Sequence, residues 1–282
     1  MTDKETPANL SDLSDPIAIG RSAEIYPWTR GKVAKLFFKT IGLQDIENEY
    51  KNTCEAVRQN VCGMACHGKV MLQGRSGIVL DRVDGISLTK QPEKNPICFF
   101  SLSKTLACLH IELHKSQTQN LREIREFAAG MLDAPPFGFL TLEEKKKAKT
   151  FISKLPEGSC ILHMDFHPEN VLVSKKSLVI IDWMTAARGN PAADVASSFF
   201  LMHDAELFPG LSMPKRVFYG IVRRFILHKY LKHYLKRSAM TMEDIMAWRL
   251  PILILRLGLW NIDSERNRLR NEILRLFSIS CG

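Results

Sequence analysis

Apolar residues change their spacing along this 282-residue chain, and the change falls near residue 85. Before it, residues 15–21, 23–28 and 32–38 are short runs rich in Ile, Val, Tyr and Phe, parted by Gly-Arg-Ser and Thr-Arg-Gly turns. They predict a three-stranded antiparallel meander. Leu43, Ile46, Tyr50, Cys54, Val57 and Val61 recur every three or four residues, an amphipathic helix over 43–61. Residues 68–73 and 77–83 read as two more strands, completing a five-stranded sheet. From Pro96 the period is helical: 98–114 carries Leu102, Leu106, Leu109 and Leu113, and 121–131 and 141–155 follow, the last opened by the capping box Thr141-x-x-Glu144. Helices are also predicted over 191–202, 214–237, 242–259 and 264–277. The class is α+β, with a tail at 1–14, a small N-terminal lobe at 15–84 and a larger helical lobe at 85–282.

One stretch interrupts the helical part. Residues 159–162 are apolar, a polar turn follows, and 171–173 and 178–181 are apolar on either side of a Lys-Lys-Ser turn. That pattern is a loop leading into a hairpin. His163-x-Asp165 lies in the loop, Asn170 comes five residues after Asp165, and Asp182 twelve further on. A hairpin sets Asn170 and Asp182 at the same end of two paired strands. These hard oxygen donors suit Mg²⁺, which takes few protein oxygens and leaves the rest to phosphate and water. Phosphoryl transfer is catalysed mostly by positioning and charge neutralisation. In that chemistry Asp165 would orient the attacking hydroxyl and accept its proton, while Asn170 and Asp182 would hold the metal. The ordinary alternative is a surface turn and hairpin whose polar groups only cap and solvate.

Lys35 strengthens the catalytic reading. It is a lone cation amid Val33, Ala34, Leu36 and Phe37, and burying it unpaired would be costly. A lysine on such a strand can bind the α- and β-phosphates while pairing with a helix glutamate. The wet face of the strand is its other possible place. In the 43–61 helix, Glu47 and Glu49 both flank the apolar stripe, and geometry slightly prefers Glu47. The turn Gly20-Arg21-Ser22-Ala23 can lay its N–H groups over phosphates, or be a plain hairpin turn.

HMDFHPENVLV followed by VIIDWMTAARGNPAADVA resembles the aminoglycoside phosphotransferase and choline kinase family. The family's fold is protein-kinase-like, its usual run close to HGDLHPGN, a strand, IDW or IDF, then GDP and a later Asp. This chain departs at Met164 and Glu169, both Gly in the family, and at Asn190, there Asp. The resemblance spans about 15–280 and is most specific at 159–194. It implies that His163 braces the catalytic loop and that Asp194 caps its backbone. It prefers Glu49 as the partner of Lys35, assigns Gly20 and Ser22 to the phosphate loop, and makes Asp81 (carbonyl) and Val83 (amide) the hinge that reads the base. The implied cofactors are ATP, with GTP open, and Mg²⁺; the acceptor is a small-molecule hydroxyl.

Composition adds boundaries. Hydrophobic content of 45% and charged content of 24% suit a globular enzyme. No apolar run reaches the roughly 20 residues of a membrane helix, and the polar, acidic N-terminus lacks a signal-peptide pattern. The expectation is a cytoplasmic protein with no membrane partner. Seven scattered cysteines favour reduced thiols, and Cys62-x-x-x-Cys66-His67 lacks the second ligand pair of a zinc site. Net charge is +9, and residues 211–240 hold eight Lys or Arg and no Asp or Glu. That segment suits a polyanion, but Val217, Ile221, Val222, Phe225 and Ile226 form a stripe that reads as a core-facing side of a solvated helix. The helix reading is preferred and nucleic acid disfavoured. The basic C-terminal part argues against a cationic acceptor such as an aminoglycoside. Two rivals stay open: a kinase for a protein or lipopolysaccharide sugar docking on 211–240, and a kinase-shaped binding module without transfer.

Overall fold

The computed structural model describes residues 13–175, 177–206 and 212–280, with side chains to 277. Most of the expected tail, residues 1–12, lies outside the described residues, as do Leu211 and Cys281. The chain forms two compact units, one from the described part of Met1–Lys94 with Pro168–Ala186, the other from Asn95–His167 with Ala187–Gly282.

The first unit opens with β1 (Ala18–Ile19), β2 (Ala23–Pro27) and β3 (Lys32–Phe37), followed by α1 (Leu43–Arg58), β4 (Cys66–Leu72) and β5 (Arg75–Asp81). The strands make one antiparallel sheet in the order β1-β2-β3-β5-β4. The first strand is only two residues long instead of the expected 15–21, and Ile17 and Ile19 are exposed. Such shortness suits an unprotected sheet edge. Strand alternation sends Val33, Lys35 and Phe37 to one face. There Val33 and Phe37 pack with Ile78, Leu80 and Ile46 of α1, whereas Ala34, Leu36 and Leu72 pack on the other face. Gly77 permits the close approach of β5 to β3, since a Cβ there would meet the Lys35 carbonyl at 2.7 Å. Then come β6 (Gly85–Ser87) and α2 (Gln91–Lys94).

The second unit begins with α3 (Cys98–Leu113), α4 (Ile124–Met131), α5 (Leu142–Ser153) and β7 (Cys160–Leu162). Thr141 and Glu144 close the expected capping box at the start of α5. The chain re-enters the first unit as the hairpin β8 (Val171–Ser174) and β9 (Leu178–Ile180), which forms a sheet of order β6-β8-β9. It returns as β10 (Ala187–Gly189), paired antiparallel with β7. There follow α6 (Pro191–His203), α7 (Met213–Leu235), α8 (Met242–Ala247), α9 (Arg249–Trp260) and α10 (Asp263–Ser280).

Two helical expectations change. The single helix over 242–259 is α8 and α9, broken at the fully buried Trp248. Pro251 then falls in the first turn of α9, where its missing N–H costs nothing. In α7 the inward side is Ile226, Leu227, Tyr230 and Tyr234; Val217, Ile221 and Phe225 of the expected core stripe are exposed instead. Helical spacing marks an apolar stripe without saying whether anything covers it.

Candidate active site

In the first unit three ionisable groups meet. Lys35 Nζ donates to Glu49 in a tight ion pair and to Asp182 Oδ1 at 3.1 Å. Lys35 and Glu49 are buried; the Asp182 side chain keeps 39% of its surface exposed. Strand alternation turns Lys35 toward α1, and Glu49, three residues past the buried Ile46, sits on the helix face that meets it. Glu47 lies elsewhere, on Lys69 at 2.8 Å and Lys51 at 3.7 Å. Burial alone would depress the Lys35 ammonium, but the carboxylates of Asp182 and Glu49 outweigh it and hold its pKa above the ordinary value.

The hairpin carries the other oxygen donors of this unit. Val171 pairs with Ile180, and Ile181 N–H donates to the Asn170 carbonyl at 3.0 Å, so Asn170 and Asp182 stand at the same end of β8 and β9. Asp182 has a left-handed backbone (φ 67°), tolerable for aspartate. The segment beyond it is pinned by Asn52 of α1, whose Nδ2 donates to the carbonyls of Trp183 at 3.0 Å and Met184 at 3.2 Å. Asn52 is a functional candidate that sequence reasoning passed over. No pattern in the sequence marked it, since its face of α1 also buries Glu49, Thr53 and Glu55.

In the second unit His163-x-Asp165 follows β7. The Asp194 carboxylate, from the first turn of α6, accepts from His163 N–H at 2.6 Å and Met164 N–H at 2.8 Å. Ser197 and Ser198, one turn on, donate to the carbonyls of Met164 (2.6 Å) and Phe166 (2.8 Å). Asp165 N–H lies 3.3 Å from His163 Nδ1, and its carboxylate lies 3.8 Å from His167 Nε2. Met164, standing where the family has Gly, takes φ 64°. Behind Asp194 are His110 at 3.1 Å and His114 at 3.2 Å, whose Nδ1 atoms meet the hydroxyls of Tyr230 and Tyr234, each at 2.7 Å. Burial tends to raise the Asp194 pKa, but the His110 and His114 contacts win and hold it far below the usual carboxylate range. Burial, with His114 alongside, pushes His110 down to about 4. In the sequence His110 figures only as the end of a Leu-Ala-x-Leu-His segment similar to the family's, without a role, and Tyr230, Tyr234 and the two serines escaped the reading; the histidines and the tyrosines share a spacing of four.

The remaining candidates are less tightly defined. Gly20 N–H donates to the Ala23 carbonyl at 2.8 Å, and the buried Ser22 accepts from Phe38 N–H through its own carbonyl at 2.9 Å, which makes 20–23 a closed turn. Asp81 ends β5; its carboxylate accepts from Ala65 N–H at 2.9 Å and meets His67 Nε2 at 2.7 Å. The Val83 carbonyl accepts from Gly85 N–H at 3.0 Å. Cys62 donates to the Met64 carbonyl at 2.9 Å. Among the described residues, the grouping of three metal-type ligands is His110, His114 and Asp194, so Cys62, Cys66 and His67 form none.

Residues 68–221, more than half of the chain, match the phosphotransferase enzyme family. No curated protein sequence matches the chain significantly. Among solved structures the chain is similar to a thermostable mutant aminoglycoside phosphotransferase in ternary complex with AMP-PNP and hygromycin B: TM-score 0.61, 17% identity, 94% of this chain and 93% of that one covered. It is similar to choline kinase from Streptococcus pneumoniae at TM-score 0.54 and 12% identity, covering 93% and 92%. A choline/ethanolamine kinase family protein from Mesorhizobium loti gives TM-score 0.53 and 12% identity over 95% and 86%. At such identities the shared property is the fold, and it is the α+β, kinase-like one expected from the sequence. No helix among the described residues is long and apolar enough to cross a membrane.

Proposed function

This chain belongs to the phosphotransferase enzyme family, and from that premise we propose that it moves the terminal phosphoryl group of ATP, or of GTP, to a hydroxyl of a small molecule with Mg²⁺ as cofactor. The observation that carries the reading is Lys35, an ammonium held between Glu49 and the partly exposed Asp182. A charge fixed in that way costs no reorganisation when a phosphate arrives. The AMP-PNP named in the similar aminoglycoside phosphotransferase structure favours the same reading.

The donor chemistry fits magnesium: a carboxamide and a carboxylate, both hard oxygen ligands, at one end of a hairpin. Asn170 and Asp182 would hold the ion, which when bound neutralises charge on the phosphates. Lys35 steadies the phosphate oxygens, and Glu49 keeps the ammonium aimed. The Arg21 and Ser22 N–H groups of the Gly20–Ser22 turn would face the phosphates, Gly20 N–H closing the turn on Ala23, and the backbone of Asp81 and Val83 would read the base edge. Asp165 accepts the proton of the acceptor hydroxyl, with its loop held by His163 and Asp194. Only eleven residues separate Asp182 from Asp194, too few for a long regulated loop, which favours a small acceptor over a protein. The net charge of +9 disfavours a cationic one.

The test separates binding from transfer. Asp165→Ala should keep its nucleotide-induced melting shift while turnover falls about 10²–10⁴-fold. Full turnover in that variant, with whatever acceptor a metabolite panel identifies through ADP release, refutes the assignment. Asp182→Ala should weaken the magnesium nucleotide about tenfold or more in calorimetry, and the metal-free nucleotide far less.

A further inference from the structure

We propose that the outer face of α7 is an attachment surface for an anionic lipid bilayer, on which the helix lies in the interfacial layer. At about 100° per residue, Val217, Phe218, Ile221 and Phe225 fall within an arc of about 100°. The buried residues Ile226, Leu227, Tyr230 and Tyr234 occupy an arc centred about 180° away, so α7 is apolar on both sides and covered on one. Phe218 is 61% exposed and Ile221 63%. The patch continues onto α3: Phe225 stacks on Phe99 at 5.6 Å, Phe99 meets Phe100 edge-on at 6.1 Å, and Phe100 is 80% exposed. Contiguous exposed aromatics of this kind mark an interaction surface.

Charge names the occupant. Lys215 and Arg224 are exposed on either side of the arc, and Lys229 Nζ lies 5.5 Å from the Phe225 ring centroid. No Asp or Glu occurs from 211 to 240, although Arg223 is spent inside the unit on the carbonyls of Ala205 and Leu201. Aromatic and aliphatic groups flanked by cations are the composition of helices that rest on acidic membranes. Shape excludes the alternatives. All residues from Met213 to Tyr219 are exposed, so this end of α7 is convex and offers no walls to seat an acidic peptide. A second copy joined through the same face would set like charges together. A nucleic acid would satisfy the cations and leave Val217 and Ile221 in water. The expectation of no membrane partner rested on the lack of a spanning segment, which says nothing of a helix lying flat.

The experiment is co-sedimentation of the purified full chain with phosphatidylcholine vesicles and with vesicles that also contain phosphatidylglycerol. Partition onto the anionic vesicles should be about tenfold stronger or more, and should weaken with salt. Val217→Ser/Phe218→Ser/Ile221→Ser should lose about tenfold or more of that binding while keeping the wild-type melting transition. Lys215→Glu/Arg224→Glu should abolish the preference for anionic lipid. Absence of binding to the anionic vesicles, or equal binding by the serine variant, overturns the proposal. So does a face that instead captures poly-glutamate, an oligonucleotide or a second copy, with the serine variant losing that capture. None of these measurements uses turnover, so their failure leaves the phosphotransferase reading standing.

Discussion

Glu49 in the first unit and Asp194 in the second are both carboxylates taken out of water, and they are compensated in opposite ways. Glu49 faces an ammonium that is charged at every physiological pH, and that ammonium also reaches Asp182, whose side chain remains 39% exposed. The first cluster therefore has a wet side, and a wet side is where a charged ligand can enter. Asp194 has none. Its oxygens accept from two backbone N–H groups and touch His110 and His114, each of which meets a tyrosine hydroxyl. A sealed network cannot bind anything, but it can fix a loop. The first arrangement suits binding and the second positioning.

Removing one carboxylate from each side should expose that difference most strongly. Asp194→Ala leaves two buried N–H groups and two histidines without their acceptor, and loss of a buried charged partner costs about 3–5 kcal/mol. Asp182→Ala leaves Lys35 with Glu49, so its cost in stability should stay near 1 kcal/mol even as magnesium-nucleotide affinity falls. Urea unfolding of the two variants decides this. Equal losses would mean that the wet cluster is as structural as the sealed one.

Acid should distinguish the clusters next. His110 sits at about 4 instead of its ordinary 6.5, so the folded chain keeps it neutral where the unfolded chain binds a proton. Stability from this group is complete above about pH 6.5 and declines toward pH 4, by about 1.4 kcal/mol per unit and about 3 kcal/mol in all. Lys35, with its pKa raised, stays charged through that window. The slope of unfolding free energy between pH 6.5 and 4 should flatten in His110→Gln, whatever that variant's stability at neutral pH. An unchanged slope places the titration elsewhere.

The order of Asp165, Asn170 and Asp182 was legible because a loop and hairpin are local objects with fixed spacing. Lys35 was legible because a lone cation among strand hydrophobics demands a partner. On a helical wheel Glu47 looks slightly the better partner for Lys35, while the family resemblance points to Glu49; the fold brings Lys69 to Glu47 and Lys35 to Glu49. His110 and Tyr230 lie 120 positions apart, and no local pattern joins them. The break at Trp248 was announced only by Pro251, three residues on, which the reading of one helix over 242–259 passed over. The outer face of α7 was seen as a stripe and assigned inward, because periodicity carries no sign.

The smallest expected effect tests whether the sealed network holds strain as well as charge. Met164 is a non-glycine residue at φ 64° whose N–H is bound to Asp194 and whose carbonyl is bound to Ser197. A left-handed backbone costs such a residue about 1–2 kcal/mol, and its buried side chain returns about 1.5–3 kcal/mol. Met164→Ala forfeits the burial and keeps the strain, whereas Met164→Gly forfeits the burial and sheds it. Glycine ordinarily leaves a chain about 0.5–1 kcal/mol less stable than alanine. Here the order should reverse, with the Gly variant more stable than the Ala variant by about 1 kcal/mol in urea unfolding. At Asp182, also at positive φ, aspartate bears that conformation more easily, so Asp182→Gly should relieve less strain than Met164→Gly. If alanine proves the better substitute at 164, the loop is relaxed, and Asp194 holds it by charge alone.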